Sequence, residues 1–291
     1  MATRRESVNG KAETEESRYD YQQEDADQVL HRARTAGAVS ISAELFEKLY
    51  LSPKNEVSGQ LRRTFGNPTP IGLIGFLMCL SPLSCSLMGF RGASNTGAVQ
   101  IPDYWFFGGV LMILCGILEW VLGNTFPSVV FLTFGAFWLT FAGTLTPSFA
   151  AFSYFAAEGQ PVTTGLVSQE FNAGFGLFLV FMGVVCFIFL VCSLRTNICF
   201  SVIFFTLVMN FIMLTTAYWL LAEDYLGNAA KAGRFIKAGG AFAFVTCMSG
   251  WWIFFAILLE SVDFPFSLPL GDLSTVIKGK RDRAHRRKSS V

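Results

Sequence analysis

Side chains able to do chemistry are scarce in the apolar middle of this chain. Glu119, in the stretch GILEWVLGN, is the one carboxylate well inside an apolar run. Ionisable residues are costly within a membrane and are kept where they have a partner or a function. Two interpretations therefore stay open: Glu119 pairs helices or reaches an interface, or it handles a substrate or a proton.

Neutral amides supply further polar groups beside or within the apolar runs, at Asn67, Asn124, Asn172, Asn197 and Asn210. Asn210 lies in the middle of one run. An amide in that position normally bonds another helix or lines a polar path. The amides thus indicate helix pairing or passage of a small polar solute.

The residue types that bind metals are too dispersed to form a site. The seven cysteines lie in or beside apolar runs without a C-x-x-C pair, and the two histidines, His31 and His285, lie towards the ends. Neither a metal nor another cofactor is predicted. There is no nucleophile elbow, P-loop or H-E-x-x-H pattern. We expect a protein that is not an enzyme and has no nucleic-acid partner.

Charge is concentrated at the two ends of the chain. Of its 291 residues 52% are hydrophobic and 15% are charged, whereas soluble domains carry about 25% charged residues. The charged groups cluster within residues 1–63 and in the final KGKRDRAHRRKSSV. A soluble domain would spread its charge over its whole surface, so this pattern predicts an integral membrane protein.

Six segments are long and apolar enough to cross a bilayer as helices. They are roughly Pro70–Phe90, Tyr104–Leu122, Pro127–Phe149, Phe171–Leu194, Ile198–Leu221 and Ile236–Leu259. The runs are continuously apolar rather than alternating, which argues against strands. The predicted fold is an all-α integral membrane bundle of six transmembrane helices. Residues 1–64 are expected to form a polar N-terminal tail, 65–262 the six-helix transmembrane domain, and 263–291 a basic C-terminal tail.

The distribution of basic residues predicts the orientation. Six spans place both termini on one side of the membrane, together with Arg62, Arg63, Arg195 and Lys278, while Arg91 and Lys231 lie opposite with fewer other basic residues. Both termini are therefore expected in the cytoplasm. The basic C-terminal tail either contacts anionic membrane lipid or is simply solvated. From the residues alone, a small-solute transporter or channel and a non-conducting membrane protein both remain open.

Four motifs narrow that choice. Asn67–Leu73, NPTPIGL, resembles the N-P-A-P-L-G-L signature that opens the first span of the acetate uptake transporter family, the GPR1/FUN34/YaaH group. Three further stretches resemble its second, third and sixth helices in the right order: GGVLMILCGILEWVLGNTF, FLTFGAFWLTF and AGGAFAFVTCMSGWW. The resemblance covers roughly Phe65 to Asp272, and the chain is identified as a member of this family.

The resemblance implies a homohexamer of six-helix protomers, each with its own narrow path, in the plasma membrane. It also implies uptake of acetate or other short monocarboxylates together with a proton. In fungi the family is also associated with ammonium export. An ammonium or ammonia pathway and a non-conducting sensor therefore stay as alternatives.

Site residues are carried over from the same motifs. The substrate-binding set is Asn67, Pro68, Thr69, Pro70, Gly72, Leu73, Glu119 and Asn124, which would hold the anion at the N-terminus of the first helix. The implied constriction consists of Phe76, Phe134 and Phe205, with Leu207 as the alternative to Phe205 because the fifth helix lacks a firm anchor. If Phe205 is the third residue, three phenyl rings make the constriction unusually bulky.

Overall fold

The computed structural model describes residues 65–93, 97–271 and 273, so the predicted N-terminal tail and most of the C-terminal tail lie outside the described residues. Six long helices make up this part of the chain: α1 (Thr69–Met88), α2 (Ala98–Val121), α3 (Thr125–Leu145), α4 (Gln169–Ser193), α5 (Ile198–Glu223) and α6 (Ala229–Ser261). Each is long and apolar enough to span a membrane. The six predicted spans are confirmed, with ends that shift by up to seven residues.

Helix ends follow from local side-chain chemistry. The Asn67 Oδ1 atom accepts the Thr69 amide at 2.9 Å at the start of α1, where proline is tolerated because the first amides lack helical partners. Gly89 ends α1 in the left-handed conformation with φ 78°. Ser168 and Asn197 cap α4 and α5 by accepting the amides of Phe171 and Phe200.

The second span differs from the regular helix that the sequence predicted. Its middle part, Tyr104–Leu111, is a π-helix that contains Gly108 and Gly109. A Cβ atom at Gly108 would lie 2.5 Å from Trp138 on α3, and one at Gly109 would clash with Leu139. The glycines thus let α2 approach α3 closely, and the wider turn shifts the register of the residues before it.

Helix packing forms a ring around an interior. The helix α5 packs between α4 and α6, α6 packs on α1, and α2 packs on both α1 and α3. Stacked phenyl groups join α3 to α4 and complete the circle of helices. The ring centroids of Phe137 and Phe178 are 6.0 Å apart, and those of Phe141 and Phe175 are 6.1 Å apart. Many outward-facing side chains are large and apolar, such as Trp120 and Phe181. The protein is a multi-pass membrane protein.

Residues 262–271 and 273, which we name the C-terminal strap, follow α6 and return to the turn between α4 and α5. The Ile198 amide donates to the Gly271 carbonyl at 2.8 Å, and the Leu273 amide donates to the Thr196 carbonyl at 3.1 Å. Leu270 is buried. The first residues of the predicted C-terminal tail therefore belong to the packed structure at this end of the bundle.

Candidate functional site

A cavity of about 50 Å³ lies between the helices. One face of α1 lines it through Phe76, Leu80, Leu83 and Leu87, which recur at helical spacing. The helices α3, α4 and α5 supply the remaining walls, with Ala243 from α6. Since a single water needs roughly 10–15 Å³ of such space, the cavity has room for a solute of only a few heavy atoms.

Three buried side chains line the cavity at the level nearest to the start of α1. The rings of Phe76 and Phe134 contact edge to face, with centroids 5.6 Å apart and an interplanar angle of 67°. Leu207 on α5 is buried and lines the same cavity. Phe76 and Phe134 therefore contact each other, and the alternative residue Leu207 lines the same cavity, while their role as a constriction stays a prediction.

Phe205 lies elsewhere, so its placement in the constriction is wrong. It is 54% exposed and faces an open apolar groove between α4 and α5 on the outside of the bundle, together with Phe187 and Val191. Positions two apart on an α-helix point in nearly opposite directions. Because Leu207 faces inwards, Phe205 must face outwards, and the expected constriction of three phenyl rings is not formed.

Further phenyl rings form an apolar cluster next to Phe134. Phe189 on α4 lies 6.4 Å from Phe134 and 5.5 Å from Phe204 on α5. Phe126, at the start of α3, lies 6.0 Å from Phe189. The sequence analysis missed Phe189 and Phe204, since α4 and α5 are apolar on every side and carry no pattern that marks the inner face.

The predicted binding residues of the opening motif come together around Glu119. The Thr69 hydroxyl donates to Glu119 Oε1 at 2.5 Å, and Asn124 Nδ2 donates to Glu119 Oε2 at 2.6 Å. Glu119 and Asn124 are fully buried, and Thr69 is nearly so. This network joins the start of α1 to the end of α2 and the start of α3. The geometry therefore matches the helix-pairing interpretation of Glu119.

The neighbouring motif residues pack tightly beside that network. The Cys115 thiol donates to the Pro68 carbonyl at 3.2 Å. A Cβ atom at Gly72 would lie 2.6 Å from both Cys115 Sγ and the Phe131 ring. Pro70 is half-buried and Leu73 is buried. None of these residues lines the cavity, so their role in substrate binding stays a prediction.

Three residues with a polar side-chain atom line the cavity, and Tyr218 on α5 is one of them. Asn210, which the sequence marked as a mid-span amide, lines the cavity on α5, and Trp138 lines it on α3. Trp138 is part of the third-helix motif, but nothing in the sequence pointed to its indole nitrogen. Among the described residues, no group of three or more His, Cys, Asp or Glu side chains is placed to hold a metal ion.

Comparison with known proteins gives consistent results. A model of the GPR1/FUN34/yaaH family matches residues 50–275. Protein alcS of Aspergillus fumigatus is 45% identical over 237 residues, which cover 81% of this chain and 86% of that protein. Acetate permease A of Emericella nidulans is 30% identical, covering 77% of this chain and 72% of its own.

A solved structure shares the architecture. The structure of the bacterial acetate channel SatP is 26% identical in sequence and superposes with a TM-score of 0.52. The match covers 71% of this chain and 99% of SatP. Nearly all of the bacterial protein thus has a counterpart in the helical part of this chain.

Proposed function

Because this chain belongs to the GPR1/FUN34/yaaH family, we propose that it carries acetate or related short-chain monocarboxylates across the membrane. The observation that carries this proposal is the small cavity lined by Phe76, Phe134 and Leu207. A relative named as an acetate permease and a solved acetate channel support the choice of substrate.

The acid crosses the constriction in its neutral form, together with its proton. Moving a bare carboxylate into an apolar environment costs on the order of tens of kcal/mol in the idealised limit. Protonating a carboxyl group of pKa about 4.3 at pH 7 costs only about 3.7 kcal/mol. Protonating the acid therefore costs less free energy than moving the bare carboxylate between three apolar side chains.

Flux into proteoliposomes tests the proposal. Labelled acetate should enter faster into vesicles that contain the protein than into protein-free vesicles, which report the leak of acetic acid through lipid. The protein-dependent rate should rise as the outside is acidified. A protein-dependent rate that does not change with outside pH would contradict transport coupled to a proton.

Ammonia is the second candidate solute, because a small neutral molecule would also pass an apolar constriction. Ammonium flux measured in the same vesicles separates the two, and faster ammonium flux with no acetate flux would replace the proposal. Insertion of the protein without flux of either solute would favour a non-conducting sensor.

The assembly and location implied by the resemblance complete the proposal. Outward-facing apolar side chains, including Phe187, Trp120 and Phe181, provide surface for lipid and for neighbouring copies. We expect a homohexamer in the plasma membrane with both termini in the cytoplasm. The mass of the detergent-solubilised particle and the accessibility of tagged termini in intact cells test these points.

A further inference from the structure

Two polar atoms without partners belong to residues that line the cavity. Among the described residues, the indole nitrogen of Trp138 and the Oδ1 atom of Asn210 are buried without a hydrogen-bond partner. Trp138 is 1% exposed and Asn210 is 4% exposed. A buried polar group without a partner costs free energy, and such groups in native proteins call for an explanation.

The two residues lie at one level of the bundle, about one helical turn from Phe134 and Leu207. Trp138 follows Phe134 by four residues on α3, and Asn210 follows Leu207 by three on α5. Because α3 and α5 cross the membrane in the same direction, both residues are displaced by about one helical turn to the same side. Their neighbours Phe137 and Phe211 have ring centroids 5.8 Å apart, which brings the two helices together at this level.

Neighbouring groups on α2 and α6 pack against each side chain. The Trp138 indole stacks on Tyr104 with centroids 5.0 Å apart and an interplanar angle of 19°. On the other wall, a Cβ atom at Gly239 would lie 3.2 Å from Asn210 Oδ1. Gly239 precedes the cavity-lining Ala243 by one turn of α6. The missing side chain at Gly239 thus leaves room for the amide beside the cavity.

We propose that Trp138 and Asn210 form a subsite for the undissociated carboxylic acid, an inference that rests on the proposed function. The indole N–H donates to the carbonyl oxygen of the acid, and Asn210 Oδ1 accepts its hydroxyl proton. The alkyl group lies against the phenyl and leucine side chains of the cavity. Both unpaired atoms thereby gain a partner from a single small molecule.

Ionised solutes fit this pair less well. A carboxylate has no hydrogen to give to Asn210 Oδ1, and an ammonium ion has no acceptor for the Trp138 N–H. Acetamide, in contrast, is a neutral molecule of four heavy atoms with one carbonyl acceptor and N–H donors. Acetamide does not change its charge with pH in the range where acetate does. It therefore imitates the undissociated acid at every pH of the experiment, and it serves as the probe.

The experiment measures acetate uptake in proteoliposomes and its inhibition by acetamide. Trp138→Phe keeps the stacked ring but removes the donor, and Asn210→Leu keeps the approximate volume but removes the amide. Each should raise KM, expressed as undissociated acid, by about 3- to 10-fold with little change in kcat, as expected for loss of one hydrogen bond. Each should also weaken acetamide inhibition by a similar factor.

Thr215→Val is the matched control. Its hydroxyl is also buried on α5 without a partner, but Thr215 does not line the cavity. Its KM and its acetamide inhibition should stay within about twofold of the wild-type values. A change that reflected only the loss of a buried polar atom would appear in this variant as well.

The outcomes separate the inference from the proposed function. Suppose that the wild-type protein transports acetate. The subsite alone would be overturned if Trp138→Phe and Asn210→Leu changed KM no more than Thr215→Val does. It would also be overturned if acetamide inhibited both variants as strongly as it inhibits the wild type. Absence of wild-type acetate flux would overturn the proposed function and the subsite together. If Asn210→Leu instead impaired ammonia flux and left acetate KM unchanged, the pair would serve ammonia and the inference would be wrong.

Discussion

The Thr69 hydroxyl and the Glu119 carboxyl, 50 residues apart in the chain, form a hydrogen bond of 2.5 Å. Asn124 donates to the other carboxyl oxygen at 2.6 Å. The three residues tie α1, α2 and α3 together at the end of the bundle where the NPTP motif begins. The proline-rich opening of α1 thus coincides with a buried polar junction between three helices.

Removing the hydroxyl from this junction should destabilise the protein. Thr69→Val removes one hydrogen bond to the buried Glu119 carboxyl group, which costs about 1–3 kcal/mol of the free energy of unfolding. Thr69→Ser restores the donor and should recover most of the loss. The measurement is thermal unfolding of the detergent-solubilised protein.

The control is Thr144→Val, since the Thr144 hydroxyl donates to the Thr140 carbonyl of its own helix at 2.8 Å. Equal Tm values for Thr69→Val and Thr144→Val would contradict the junction.

Shortening Leu207 should widen the constriction. Leu207→Ala removes bulk beside Phe76 and Phe134, so larger acids such as lactate should enter proteoliposomes measurably faster relative to acetate. A methylene-sized change in an apolar pocket alters discrimination by about 10- to 200-fold, and an effect near the lower end is expected.

Phe205→Ala is the matched control for Leu207→Ala, because Phe205 lies two residues away but faces the outer groove. Its ratio of lactate to acetate uptake should equal the wild-type ratio. A wider substrate range in Phe205→Ala, with none in Leu207→Ala, would show that the constriction has been placed on the wrong face of α5.

The proposed transport of the neutral acid predicts the sign of the pH dependence. Above the pKa of the substrate, the undissociated fraction falls about tenfold for each pH unit. The KM for total acetate should therefore rise about tenfold between about pH 5.5 and about pH 6.5, while the KM for undissociated acid stays constant. Initial rates at several outside pH values give both constants. A KM for total acetate that is independent of pH would indicate that the anion is bound.

The C-terminal strap depends on a left-handed turn at Gly271. Gly271 has φ +71°, and a Cβ atom there would lie 2.6 Å from Ile198 Cδ1. Gly271→Ala should therefore lower the free energy of unfolding by at least about 1–2 kcal/mol. Gly174→Ala is the control, since Gly174 lies in α4 with open space around it and alanine favours helix. The measurement is the Tm of the detergent-solubilised protein. An equal Tm for Gly271→Ala and the wild type would show that the turn at Gly271 does not contribute to stability.

The six spans were readable from the sequence because a membrane helix is a local property. About 20 consecutive apolar residues suffice to specify it, whatever they later contact. The prediction of Phe76 and Phe134 as neighbours rested on family motifs: Phe134 lies within the third-helix motif, and Phe76 lies three residues past the opening motif. The π-helix in α2 was not predicted, since it accompanies the close approach of Gly108 to Trp138 on another helix.

The rotation of α5 required the tertiary structure. That helix is apolar on all sides, because lipid outside and phenyl rings inside attract the same residue types, so periodicity cannot separate its inner face from its outer face. Only packing against α4 and α6 turns Leu207 and Asn210 inwards and Phe205 outwards. The sequence by itself determined the membrane class, the family and the number of spans. The tertiary structure decided which side chains meet in the cavity, since those contacts join residues far apart along the chain.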